Sequence, residues 1–368
     1  MEIRLNALTP IWTGGVGGTP DRLYESGIIG SLRWWYEAVV RGVGGYACAH
    51  SCELSARQKT GEERRANLCP ACYLFGCGGW KRRFRLVASA EKMERFQLAT
   101  LDKTPLATRN KSKKGVRGGG NRWWLNEIFP ESGGADLPSG EVTLSFRHVA
   151  DAGVREQIVS LLSIMAHIGA IGAKTQYGFG QFEWGDKRPL EESVRTIRGF
   201  VEGMGFMSAQ NQRDWYSLAQ FWFYELDLPP ENKQVKRFRS AKVLYGDSLP
   251  ENYLPVSFDI RYKLPGSSAG GLRLAYCESR KELAKSEAER QTQMIFGTAA
   301  NEKDRRGSRV FVSHLFKRDP RDENYRLRVW GFTDEDVGNV VGKELEKMFK
   351  LDETPRMMTG REIVGGRL

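Results

Sequence analysis

Strand, helix, strand, strand, helix, strand is the order of elements in each half of the chain, and it predicts an α+β protein of two ferredoxin-like domains in tandem. Three observations carry this expectation. Apolar residues recur with period 2 in some segments and with period 3.6 in others. The second half repeats the order of the first. Leu74-Phe75-Gly76, before the second strand of the first half, is echoed by Ile295-Phe296-Gly297 in the second. A chain of 368 residues is long enough for two cores. The expected division is 1–200, which includes a cysteine cluster at 48–77 and a basic insertion at 91–140, and 201–368.

Residues 2–8 place Ile3, Leu5 and Ala7 on one face of a half-buried strand. A glycine-rich turn leads to a helix over 28–40, with Ile28, Leu32, Trp35 and Val39 at helical spacing and an Arg33–Glu37 pair on another face. Strands follow at 80–89 and 142–146, then a helix over 154–168 and a short strand at 181–184. In the second half, 258–264 alternates as a strand and 278–296 forms a charged amphipathic helix. Paired strands are expected at 309–316 and 325–332, a helix at 334–349 and a last strand near Ile363. Between the halves, Trp215, Tyr216, Phe221, Trp222 and Phe223 suggest an aromatic helix.

Lys and Arg number 56 against 45 Asp and Glu, a net charge of +11 that favours an acidic partner such as nucleic acid. No apolar run is long enough to span a bilayer, and the N-terminus lacks a signal peptide's apolar stretch, so a cytoplasmic protein is expected. Much of the excess charge lies in one segment. Lys103, Arg109, Lys111, Lys113, Lys114, Arg117 and Arg122 face one acid, Asp102, and end at Trp123-Trp124. Basic charge beside large rings suits single-stranded RNA, whereas a solvated loop would leave the tryptophans exposed at a cost. Lys81, Arg82, Arg83 and Arg85 form a second basic tract, and Arg306 and Arg309 lie in a third. Such contacts position a phosphate chain without reading its bases.

Cys48, Cys52, Cys69, Cys72 and Cys77 crowd into thirty residues. The C-x3-C and C-x2-C pairs, sixteen residues apart, have the spacing of a zinc ribbon. Cys48, Cys52, Cys69 and Cys72 are the expected ligands of a structural zinc, and Cys77 or His50 could replace one of them. Four thiolates close the coordination shell, so the ion would support folding and not hydrolysis.

The segment His167 to Gly180, HIGAIGAKTQYGFG, runs an apolar helix into a glycine-studded loop carrying Lys174, Gln176, Tyr177 and Phe179. Such a loop can lie against a phosphodiester chain, with amide donors, one amine and two rings on offer. A turn that returns a helix to its sheet has the same composition. The nucleotide-triphosphate motif is excluded, since Ala173 separates Gly172 from Lys174. No serine-histidine-acid order or paired carboxylates stand out. A metal-independent ribonuclease needs only a base, an acid and a phosphate stabiliser, which keeps His167, Lys174 and Tyr177 as an alternative set.

LTPIWTGG (Leu8 to Gly15), GIIGSLRWWYEAVVRGVGGYAC (Gly27 to Cys48), CPACYLFGCGGWKRRFRL (Cys69 to Leu86) and IGAKTQYGFGQF (Ile171 to Phe182) together resemble the RAMP subunit conventionally numbered first in type III-B CRISPR effector (Cmr) complexes. The resemblance implies a non-catalytic RNA-binding subunit that holds the 3′ portion of the CRISPR RNA and helps capture target RNA in antiviral defence. Its implied partners are CRISPR RNA, target single-stranded RNA and other RAMP subunits, with no membrane and no small-molecule substrate. An endoribonuclease processing the CRISPR RNA precursor is the alternative. On this resemblance the loop's Lys174, Gln176, Tyr177 and Phe179 are the first RNA-contact candidates.

Overall fold

A computed structural model describes residues 1–15, 20–49, 51–54, 60–97, 99–100, 134–205, 216–243, 249–262, 271–298 and 306–365. In the first half, β1 (Glu2–Ala7) leads to α1 (Glu25–Gly42), and the short helices α2 (Gly61–Arg65) and α3 (Pro70–Phe75) carry the cysteine segment. Strand β2 (Arg85–Gln97), the two-residue β3 (Ala99–Thr100), β4 (Gly134–Arg147), α4 (Ala152–Ile168) and β5 (Phe182–Glu183) follow. The sheet order is β2-β4-β1-β5 with every pair antiparallel, so the last strand lies beside the first. Alternation explains β1: Ile3 and Leu5 are buried while Glu2, Arg4 and Asn6 face out. Asp151 starts α4 by accepting the Val154 N–H at 2.8 Å, and Val154, Ile158, Leu161 and Met165 give that helix its buried face.

After α5 (Leu190–Gly203), the second half begins with β6 (Phe221–Leu228). It continues through α6 (Lys233–Arg239), β7 (Lys242–Val243), β8 (Tyr253–Leu254), α7 (Ser257–Arg261), α8 (Leu272–Ser279) and α9 (Lys285–Phe296). Strands β9 (Val310–Val312), β10 (Leu315–Phe316) and β11 (Tyr325–Phe332), helix α10 (Glu335–Phe349), strand β12 (Met358–Thr359) and helix α11 (Gly360–Ile363) close it. The order β12-β6-β11-β10-β8, with β9 also on β11, again sets the last strand beside the first. The expected α+β class holds: both sheets are antiparallel and carry helices.

Five expectations are corrected. The aromatic run read as a helix is strand β6, a central strand apolar on both faces: Phe221 and Phe223 pack into the first half's core, Trp222 and Tyr224 into the second's. Phe258 and Ile260, expected on a strand, lie on helix α7, where all five residues are buried and alternation marks no face. The single helix over 278–296 is two, α8 and α9. The last strand is Met358–Thr359, and Ile363 ends the helix after it. The strand expected at 80–89 runs instead from Arg85 to Gln97, and β4 starts at Gly134, so both ends of the expected insertion are paired sheet. The Phe96 and Leu137 side chains hold this extension by packing with Tyr253, Phe258 and Phe316 from the second half.

Candidate nucleic-acid interface and cysteine centre

The glycine-rich loop is a wedge between the halves. Ala173 N–H donates to the Trp12 carbonyl at 2.7 Å, and Gly180 N–H donates to the Pro10 carbonyl at 2.9 Å. On the other side, Ser257 Oγ donates to the Tyr177 carbonyl at 2.5 Å, and the Tyr177 ring lies over Phe258 at 5.3 Å and 21°. The glycines permit close packing: at Gly178, with φ 96°, a Cβ would stand 2.7 Å from the His314 nitrogen. Phe179 is wholly buried, 5.3 Å from Trp12 and 4.8 Å from Phe96, so its ring presents no face for a base. Tyr177 is half-buried, with the Arg261 guanidinium also 6.0 Å from its ring centroid; Gln176 is half-buried beside it.

Lys174 is the distinctive group. It takes the left-handed conformation at φ 55°, unusual for a side chain with a Cβ, and its Nζ stands 3.5 Å from the centroid of the Trp12 ring. Among the described residues the amine has no hydrogen-bond or carboxylate partner. Burial pulls its pKa down to about 8. The loop therefore holds a half-shielded cation whose lowered pKa a phosphate oxygen would raise again.

The second centre lies behind α1. The Sγ atoms of Cys48, Cys52, Cys69 and Cys72 all fall within 4.8 Å of one another, with Cys48 Sγ 3.5 Å from Cys69 Sγ and 3.4 Å from Cys72 Sγ. All are free thiols. Four sulfurs about 2.3 Å from one tetrahedral ion lie about 3.8 Å apart, so the donor set fits a thiophilic metal. Cys69 N–H donates to Cys52 Sγ at 3.3 Å and Cys72 N–H to Cys69 Sγ at 3.4 Å, the main-chain bonds that orient ligating sulfurs. Helix α1 clamps the knuckle with two arginines. Arg33 donates to Cys72 Sγ at 3.2 Å and to the Gly76 carbonyl at 2.8 Å, and Arg41 reaches the Ala47 and Cys48 carbonyls. Hydrogen bonds from the other three cysteines hold the Cys72 thiol below its ordinary range. Cys77 stands outside the four, and burial pushes its thiol up to about 11. His50 lies outside the described residues.

Residues 4–183, which span the first sheet, the cysteine centre and the glycine-rich loop, match the family model of the RAMP superfamily. The match covers just under half of the chain. No curated protein matches it. Among solved structures, Cmr1 from Pyrococcus furiosus in its apo form is similar at 12% identity and a TM-score of 0.47, covering 90% of this chain and 87% of that one. A chain of the type III-B Cmr-beta complex bound to cognate target RNA and AMPPnP in the presence of ssDNA is similar at 12% identity and a TM-score of 0.45, covering 95% of this chain and 98% of that one.

In the segment that the RAMP model matches, Lys81, Arg82 and Arg85 are exposed, and Arg85 faces Arg147 across the β2–β4 ladder. Like charges placed opposite each other repel, and an anion bound across them would relieve that repulsion. Arg83 is partly buried and reaches Asp151 at 3.4 Å. Beyond the RAMP segment, Arg306 is exposed, and the Arg309 guanidinium sits 5.9 Å from the centroid of the Tyr216 ring. The basic tract Lys103, Arg109, Lys111, Lys113, Lys114, Arg117, Arg122 and Trp123 lies outside the described residues, as does Trp215. His167, considered for catalysis, has its Nε2 2.9 Å from the Arg188 carbonyl. His314 is wholly buried and held neutral, its pKa pulled down to about 3 by burial. Among the described residues, no helix is long and apolar enough to cross a membrane.

Proposed function

We propose that this protein is a non-catalytic RNA-binding subunit of a type III-B CRISPR ribonucleoprotein effector. In this reading its two halves, each ferredoxin-like, act in the cytoplasm with other RAMP subunits to hold the 3′ portion of the CRISPR RNA and help capture target RNA. The observation that carries it is Lys174, an unpaired amine held over Trp12 in a loop wedged between the halves and inside the RAMP segment. The motifs from Leu8 to Phe182 and the exposed Lys81, Arg82 and Arg85 support the same reading. The four-thiol centre is assigned to a structural zinc ion held by Cys48, Cys52, Cys69 and Cys72, which would fix the fold near α1 and supply no chemistry. His167 directs one ring nitrogen to a main-chain carbonyl, an arrangement that favours a structural role over general-base catalysis.

The direct test is binding of single-stranded RNA. Lys174→Ala is expected to weaken it by about tenfold at low salt, the scale of one charge-assisted contact, and to reduce the salt slope by about 0.7. The pH dependence follows from the amine's pKa of about 8 in the folded protein. Binding needs the charged form, so affinity falls as pH rises through 8, and Lys174→Arg, charged throughout, flattens the profile. Salt-independent binding, or a Lys174→Ala variant that binds as wild type, contradicts the reading. RNA incubated with the protein, with or without divalent metal, is expected to stay intact; cleavage lost in His167→Ala would instead support the processing endoribonuclease.

A further inference from the structure

We propose that a cleft between α2 and the turn before β2 is a binding site for one unpaired base of a single-stranded RNA, an inference that rests on the RNA-binding reading above. The cleft encloses about 350 Å³ and is lined by Thr60, Glu62, Arg65, Tyr73, Trp80 and Arg83. Its floor is the half-exposed Trp80 ring, backed by Tyr73, which is 4% exposed and packs on Phe200. The Tyr73 and Trp80 rings lie 5.9 Å apart at 34°, and Trp80 Nε1 donates to the Tyr73 carbonyl at 3.0 Å, which fixes the indole. Its walls are cationic: the Arg65 guanidinium is 5.4 Å from the Tyr73 ring centroid, and that of Arg83 is 5.1 Å from Tyr73 and 5.7 Å from Trp80.

The donors are under-used. Arg83 Nε is shielded from solvent and has no partner, and the bond from its Nη2 to Asp151 is long, at 3.4 Å. Arg65 is exposed, with no acid partner among the described residues. Asp151 pairs with Arg83 from outside the lining, and Arg65, which has no such partner among the described residues, is placed to take the phosphate of a base held in the cleft. Ring faces and guanidinium planes are the surfaces on which single-stranded nucleic acids stack. The site is preorganised, since Tyr73 lies on α3 between two turns fixed by Cys69, Cys72 and Gly76. The exposed Lys81 and Arg82 continue the positive path out of the cleft.

The experiment is photocrosslinking of the full-length protein to a 4-thiouridine oligonucleotide, with the modified peptides identified, beside affinities for Trp80→Leu, Trp80→Phe and Arg65→Ala. Crosslinks at Trp80 are expected. Loss of one base stack weakens binding by about fivefold or more, so Trp80→Leu should lose that much and Trp80→Phe should keep most of the affinity. Arg65 is exposed and touches the core only through the outer side of the Tyr73 ring, so Arg65→Ala reads the cleft at little cost to folding and should weaken binding. Tight RNA binding with crosslinks elsewhere, unchanged in Trp80→Leu and Arg65→Ala, overturns this inference and leaves the RNA-binding reading intact. Competition by free uridine monophosphate as effective as that of the oligonucleotide overturns the assignment to a strand. A full-length protein that binds no RNA overturns both readings.

Discussion

Cys69→Ser is expected to strip the protein of zinc and to lower its melting temperature by about 10 °C or more. Cys69 stands at the start of α3, is 2% exposed, and its sulfur lies 3.5 Å from that of Cys48. Apparent binding free energies of structural zinc run to about 10–16 kcal/mol in isolated fingers. Only part of that would couple to a core as large as the one α1 and α3 share. Losing about 4 kcal/mol is enough, at about 2–4 °C per kcal/mol for a domain of roughly this size. Elemental analysis of protein purified without chelator should give close to one zinc per chain for wild type and for Cys77→Ser, whose sulfur lies outside the cluster, and less than half an equivalent for Cys69→Ser. Wild-type protein without metal, or a Cys69→Ser variant that keeps a full equivalent, would reduce the cluster to four buried thiols.

The sequence was most legible where one face of an element meets one core. Helix α1 up to Tyr36 and α4 up to Ile158 bury one stripe, and β1 alternates, so period and position follow from the residues. The cysteine spacing was legible too, because a chelate of short-range pairs depends little on the rest of the fold. Legibility failed where a segment is buried on every side. Strand β6 sends Phe223 and Trp222 into different cores, and α7 has no exposed residue, so neither shows a period.

The candidate site shows the same division. Position along the chain brought out the loop, but not which of its rings are free: Phe179 is covered by Trp12, Phe96 and His314, which approach from distant parts of the chain. The loop glycines, read as room for phosphate, are needed because main chain crowds them: Trp12 at Gly172, Ile171 at Gly180 and, from the other half, His314 at Gly178. Tyr73 and Trp80 went unnoticed beside the basic tract they flank. The signal was a tyrosine on a helix anchored by two cysteines and a tryptophan just before Lys81-Arg82-Arg83.

Glu225→Gln is expected to cost about 3 kcal/mol of stability, because it leaves a wholly buried guanidinium without its carboxylate. Arg328, on β11, is 1% exposed and donates to Glu225 Oε2 at 2.7 Å, to the Ala166 carbonyl at 3.1 Å and to Gln181 Oε1 at 3.3 Å. It thus ties the second sheet to the end of α4 and to the strand after the glycine-rich loop. Burial raises the Glu225 carboxyl pKa, but the Arg328 and Arg318 guanidinium groups outweigh it and leave the pKa below the ordinary value. Its contribution to stability is therefore present above the unfolded carboxyl's pKa of about 4.3 and is lost as pH falls through the lower folded value, where the unfolded chain binds the extra proton. Denaturant unfolding at a series of pH values should show wild type losing this stability in the acid range while Glu225→Gln lacks that component. Glu225→Gln/Arg328→Met removes both charges and should recover much of the loss, because a buried pair is costly to halve and cheap to replace as a whole. A double variant no more stable than Glu225→Gln would mean that the arginine's bonds to Ala166 and Gln181, and not the ion pair, join the two halves.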